Sequence, residues 1–178
     1  FLIPSFPKSG NTLMRMIISS LFFTKDGFID LNNIRVDQLE DVDYLNLIKE
    51  INYNDYNQLN KLSILYKYHL KIKEKKNLNL KEDFAFFKTH HALINLKKFQ
   101  YITKELLRGY IYLIRDPRDI VVSWANHANI NISDSIEFIL NEQSCINWSR
   151  KKKSKFPKDI KPKLLTSNWE NHVLSWTK

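Results

Sequence analysis

Three short apolar runs break off in polar residues: Phe1 to Phe6 (FLIPSF), Phe84 to Leu93 (FAFFKTHHAL), and the run opening GYIYLIRDPRDIVVSWANH at Gly109. The first leads through a turn at Pro7 to Asn11 into a helical pattern from Thr12 to Phe23, and the third turns just as sharply into a helix. Apolar strands alternating with helices specify a parallel sheet flanked by helices, the α/β class. Thr12 to Phe23 is apolar nearly all round, so this helix is expected to pack inside the domain. Asp116 suits the cap of the next helix and Pro117 its first position. Ser133 is expected to cap another, running through Ile136, Phe138, Ile139 and Leu140.

Between Thr24 and Asp83 the composition is polar, with a lysine-ended helix expected over QLNKLSILYKYHLKIKEKK. A basic stretch, RKKKSKFPKDIKPK, precedes SNWENHVLSW, where Trp169, His172, Val173 and Trp176 recur at i, i+3, i+4 and i+7. That spacing reads as packing rather than chemistry. With 178 residues, 43% of them hydrophobic, one sizeable core and a single domain over 1–178 are expected. A net charge of +9 favours anionic partners without choosing among them. The one cysteine, Cys145, excludes an internal disulfide and a cysteine-cluster metal site. No signal peptide is visible and MIISSLFF is too short to span a bilayer, so the expected location is cytoplasmic.

Three places carry chemistry. In FPKSGNTLMRMII a strand ends in a turn that opens a helix, so backbone N–H groups and the positive helix end make an anion site. Lys8 adds a mobile cation, and Ser9 and Thr12 add hydroxyl donors; an ordinary strand-to-helix turn fits the same pattern equally well. It is not the nucleotide loop GxxxxGK[ST], because the lysine precedes Gly10, the loop's one glycine. In FFKTHH, strand alternation puts Lys88 and His90 on one face and Thr89 and His91 on the other. A lysine cation beside His90 lowers its pKa and suits it to act as a general base, although a strand end bearing chance polar residues explains the pattern too. In LIRDPRDIVVSW, Arg115 stands at a strand end and can grip two phosphate oxygens. Ser123 follows eight residues later, about two helical turns on. Arg118 and Asp119 pair with each other or with the helix end. Ends of adjacent strands in an open parallel sheet converge on one ligand-binding crevice.

Together these segments resemble the sulfotransferases that use 3′-phosphoadenosine 5′-phosphosulfate (PAPS). SFPKSGNTL is similar to the family's 5′-phosphosulfate loop, YPKSGTTW, and YIYLIRDPRDIVVSW to its 3′-phosphate segment. FFKTH resembles its lysine-threonine-histidine strand and SNWENHVLSW its Trp-x-x-His-Val-x-x-Trp helix, in the same order. The resemblance implies a P-loop nucleoside-triphosphate-hydrolase-like sulfotransferase fold. It implies that PAPS is the co-substrate and PAP the product, with no metal, and that a sulfuryl group passes in line to an acceptor hydroxyl or amine. Lys8 would bond the bridging oxygen of the donor, and Ser9, Gly10, Asn11 and Thr12 would surround the 5′-phosphate. Arg115 and Ser123 would hold the 3′-phosphate, His90 would take the acceptor proton, and Lys88 would bond the sulfuryl oxygens.

Three departures stand out. Leu13 occupies the place of a tryptophan that stacks on adenine in many members, and Asn11 replaces a threonine. The family's later Arg-Lys-Gly segment has no counterpart before Lys178, and the chain opens on Phe1 inside a strand. The expectation is therefore a piece of the domain lacking its extreme N-terminus and its C-terminal part. A nucleotide kinase of the same fold would need a Gly-Lys-Ser/Thr loop and a magnesium-binding acid, neither of which is evident. A nucleic-acid-binding module would need aromatic platforms among the lysines, so no nucleic acid is expected. The acceptor, a small-molecule or carbohydrate hydroxyl, would be chosen by Lys25 to Asp83 and by the segment around Cys145 to Leu165.

Overall fold

Leu2, Ile3 and Pro4 are all buried, as an inner strand requires, and form β1 (Leu2–Pro4). A computed structural model describes residues 1–39, 84–93, 95–96, 99–100, 102, 107–147 and 163–178. The helix expected over 58–76 and the basic stretch over 150–162 lie outside the described residues. The chain divides into two compact units. The first comprises Phe1–Ile3, Gly10–Thr89 and Asn95–Ile111, the second Pro4–Ser9, His90–Ile94 and Tyr112–Lys178.

In the first unit, β1 is followed by α1 (Asn11–Phe23), β2 (Asp37–Gln38), β3 (Phe87–Thr89), β4 (Asn95–Leu96) and β5 (Phe99–Gln100). A small sheet has the order β1-β3-β2, with β2 and β3 parallel and Gln38 opposite Lys88. Leu2 donates to the Gly109 carbonyl at 3.1 Å and accepts from the Ile111 N–H at 2.9 Å, making a parallel bridge to Tyr110. The α/β class and a parallel sheet are thus present. The run after Gly109, expected as a full strand, pairs only through isolated bridges. β4 and β5 form a separate antiparallel pair.

Phe86 centres the packing here, stacked on Phe1 at 5.3 Å and on Phe22 at 5.5 Å. The helix α1 departs from expectation. It buries Asn11, Ile18 and Ser19, whereas Leu13, Ile17 and Leu21 are 65%, 43% and 57% exposed. Those three recur every fourth residue and so line one stripe, which this unit leaves at the surface. An apolar circumference did not by itself bury the helix.

The second unit contains α2 (Pro117–Ala128), α3 (Ile132–Leu140), β6 (Cys145–Asn147), β7 (Lys163–Leu165) and α4 (Trp169–Thr177). As expected, the Asp116 carboxylate caps α2 by accepting the Arg118 N–H at 2.9 Å, and Pro117 opens the helix. Arg118 also binds that carboxylate through its side chain, and together these bonds hold the Asp116 pKa down at about 2. For α3 the expected cap is corrected. Asn131, not Ser133, accepts the Asp134 N–H at 2.8 Å, and Ser133 lies inside the first turn. The helix begins at the earlier of two capable residues because the Asn131 amide also reaches the Asp134 carboxylate, at 3.0 Å.

Phe6, Ile120 and Ile139 form the core of this unit, with Val121, Phe138 and Trp169 packed around them. Each of the three is worth about 1.5–3 kcal/mol in burial. β6 and β7 pair antiparallel, with Cys145 opposite Leu165. Asn168 caps α4 by accepting the Asn171 N–H at 2.7 Å. Asn168→Ala is expected to cost about 1 kcal/mol. That lowers Tm by roughly 2–4 °C, while Asn168→Asp keeps it; a calorimetric scan of the three proteins checks this. No helix among the described residues is long and apolar enough to cross a membrane.

Candidate functional site

The turn after β1 is held open by its backbone. Lys8 has φ 67° and Gly10 φ 91°, both left-handed. For Gly10 this is free of steric cost, but for Lys8 the conformation costs about 1–2 kcal/mol. Gly10 is also the cap position of α1, and no side chain caps that helix, so the N–H groups of its first turn keep their capacity to bind an anion. The Ser9 hydroxyl is buried and makes no hydrogen bond. An orphaned buried hydroxyl costs about 1–3 kcal/mol, a penalty that a bound acceptor oxygen removes. The substitution of asparagine for threonine at position 11 has a structural use: the buried Asn11 amide donates to the Ile3 carbonyl at 3.0 Å and ties the start of α1 to β1. Thr12 and Leu13 are exposed.

Within the second unit, the segment Pro4–Ser9 collects several of the expected residues. Arg115 donates from one guanidinium nitrogen to the Lys8 carbonyl at 3.0 Å, and its Nε lies 3.6 Å from the Asp119 carboxylate. Arg118 goes to Asp116 instead, so the Arg118–Asp119 pair does not form. Lys8 and Arg115 are both half-buried, as is Ser123 on α2. One turn beyond Ser123, partial burial and the nearby Lys8 charge, in that order, lower the pKa of His127.

The ring of His90 is fixed on the same segment. Its Nδ1 lies 2.8 Å from the Ser5 carbonyl, which can only accept, so Nδ1 carries the hydrogen. The Ser5 hydroxyl lies 3.3 Å from the same nitrogen. In the neutral ring the lone pair therefore belongs to Nε2, the atom a general base would use. Strand alternation is not what sets this orientation, because β3 stops at Thr89 and His90 belongs to the irregular segment that follows. His91 is engaged elsewhere: its Nδ1 accepts the Leu165 N–H at 3.2 Å. Lys88 is half-buried on β3 between the buried Phe87 and Thr89, in the first unit, as are Gly10, Asn11, Thr12 and Leu13.

Tyr112 and the role of His172 escaped the sequence reading. Tyr112 Oη lies 2.8 Å from His172 Nδ1, and His172 Nε2 lies 3.2 Å from the His90 carbonyl. Since the carbonyl accepts, Nε2 carries the proton and Tyr112 donates to Nδ1. His172 is fully buried, edge-on to Phe6, and burial depresses its pKa to about 4. Burial likewise raises the Tyr112 pKa. The available signal was a histidine in an otherwise apolar helical stripe, which reads equally well as core. Among the described residues no group of three or more His, Cys, Asp or Glu side chains is arranged to hold a metal ion.

In the second unit the left-handed Lys8 stands on the segment that also fixes the tautomer of His90, and in the first unit the start of α1 has no side-chain cap. The sulfotransferase domain family model matches residues 1–178, and the chain belongs to that family. Sulfuryl transfer is the chemistry this membership supports. No curated protein and no solved structure matches the chain.

Proposed function

We propose that this chain moves a sulfuryl group from PAPS to a hydroxyl or amine of an acceptor, with His90 as general base. The observation that carries the reading is the gathering of Arg115 and the tautomer-fixed His90 on one segment, Pro4–Ser9, which also holds Lys8. Family membership supports it from a separate direction. We read the α/β frame as the P-loop nucleoside-triphosphate-hydrolase-like fold, on the strength of its parallel strands and the turn from β1 into α1.

The residues present fit such a donor: the buried Ser9 hydroxyl lacks a partner and the start of α1 lacks a cap. When bound, PAPS supplies the sulfuryl group and a phosphate leaving group. The Ser9 hydroxyl, the backbone of Gly10, Asn11 and Thr12, and the Thr12 hydroxyl would hold the 5′-phosphate. The Lys8 ammonium would neutralise charge gathering on the leaving oxygen, and Lys88 would steady the sulfuryl oxygens. Arg115 keeps guanidinium N–H groups beyond the one spent on Lys8 and would grip the 3′-phosphate together with Ser123. The exposed Leu13 would offer adenine an apolar contact in place of a stacked ring. His90 Nε2 would accept the acceptor's proton as its oxygen bonds to sulfur. Positioning and fixed charge supply most of the rate in such transfers.

The test compares PAP with ADP, which lacks the 3′-phosphate. PAP is expected to bind tighter by about tenfold to a hundredfold, since a charge-assisted contact is worth about 1.5–3 kcal/mol. Arg115→Ala should erase most of that difference. Isothermal titration giving equal affinities for PAP and ADP would refute the donor assignment. An Arg115→Ala protein with undiminished preference for PAP would refute the placement of the 3′-phosphate alone.

A further inference from the structure

The helix α4 reaches the segment that follows β3 at three points. His172 Nε2 donates to the His90 carbonyl at 3.2 Å, Trp176 Nε1 donates to the His91 carbonyl at 2.9 Å, and Ser175 Oγ accepts the Leu93 N–H at 2.9 Å. These are side chains of one helix spent on the backbone of almost consecutive residues. β7 adds a fourth tie, from the Ala92 N–H to the Leu165 carbonyl at 2.9 Å. A buried histidine needs a hydrogen-bond partner at each ring nitrogen, so what matters is where those partners lie. His172 has both, and the acceptor belongs to the residue read above as the base.

We propose that His172, with Tyr112 behind it, is a positioning residue for His90. The Tyr112 hydroxyl occupies Nδ1 of His172 and so leaves the proton on Nε2, where it fastens the His90 carbonyl. With the carbonyl held, the His90 backbone stays where its ring can give Nδ1–H to the Ser5 carbonyl, which makes Nε2 the basic atom of the neutral ring. The relay moves no proton during turnover; it holds the geometry in which the Ser5 carbonyl selects the His90 tautomer. Outer groups that orient a metal-bound histidine matter by about tenfold to a hundredfold in affinity or activity, and an effect of the same order is expected here. The inference rests on His90 being the base of the reaction proposed above, but its structural half can be read without any turnover.

The experiment uses the full natural protein with ¹⁵N-labelled histidine, the His90 ring signals being those that vanish in His90→Ala. Wild type should show His90 as the Nδ1–H tautomer. His172→Phe keeps a ring in the core and removes both nitrogens. It should let the Nε2–H tautomer of His90 appear and lower kcat about tenfold to a hundredfold, with PAP affinity unchanged. His172→Gln, which can still donate to the His90 carbonyl, should restore most of both. Tyr112→Phe should give a smaller shift in the same direction. The proposal is overturned if the His90 tautomer and kcat are unmoved in His172→Phe. It is also overturned if His172→Gln and His172→Phe lose activity equally and in proportion to their Tm. Where His172→Phe does not fold, an unmoved His90 tautomer in Tyr112→Phe overturns it as well. A wild-type protein with no sulfuryl transfer but the Nδ1–H tautomer at His90, lost in His172→Phe, would refute the function and leave the positioning intact.

Discussion

His90→Ala is expected to lose turnover by about a hundredfold to ten-thousandfold, the usual contribution of a positioned general base, and still to bind PAP if the proposed function holds. The reason is local. His90 spends Nδ1–H on the Ser5 carbonyl, so removing the ring removes a proton acceptor and leaves the turn at Lys8 with its other contacts. His91→Ala behaves differently. Its ring accepts the Leu165 N–H, and deleting it leaves that half-buried donor without a partner, at a cost of about 1–3 kcal/mol in stability. Turnover per folded molecule is then expected to stay near wild type. Paired measurements of kcat and of urea midpoint on both variants decide the matter. If His91→Ala proves the catalytic lesion and His90→Ala the structural one, the assignment of the base is wrong.

Acid should weaken the fold through His172 well before it reaches the carboxylates. Burial holds the folded pKa of this histidine near 4, below the ordinary value of 6.5. The unfolded chain therefore binds a proton between those values while the folded chain does not. Stability is at full strength above pH 6.5 and is lost as pH falls towards 4, by about 3 kcal/mol in all. A loss of that size is a large share of a typical domain's 5–15 kcal/mol. Asp116, whose pKa is also lowered, acts in a separate and more acidic window, from its ordinary 3.8 down towards 2. Urea unfolding at pH 7.5, 5.5 and 4.5 should show the decline, and His172→Phe should flatten it. A midpoint independent of pH over that range in the wild-type chain would mean that His172 is not buried as described.

Much of the frame could be read from local chemistry. β1, the helix after it, the Asp116–Pro117 start of α2 and the α4 stripe all follow from patterns spanning a few residues. Apart from the α3 cap, which Asn131 and Asp134 settle locally, the misses share a physical cause, since each depends on a neighbour distant in sequence. Whether Leu13, Ile17 and Leu21 are covered depends on what packs against α1, which periodicity along one helix does not contain. The termination of β3 at Thr89 depends on where its partner ends, and with it went the alternation argument for His90 and His91. Tyr112 and His172 lie 60 residues apart and meet through a hydrogen bond that neither segment announces. Lys8, Ser9, Arg115 and Ser123 were grouped by their places at the ends of strand-like runs and by residue types and spacing that match a family pattern. The regions expected to choose the acceptor fall largely outside the described residues.

The six residues Pro4–Ser9 receive His90 at Ser5, the edge of His172 at Phe6 and Arg115 at Lys8. Groups fastened to the same short stretch of backbone share its thermal displacements. When that stretch shifts, the imidazole of His90 and the guanidinium of Arg115 are carried with it, so the distance between them is expected to vary less than the position of either. Registration of this kind does not require a rigid molecule. It requires only that the parts whose spacing matters be hung from the same rail.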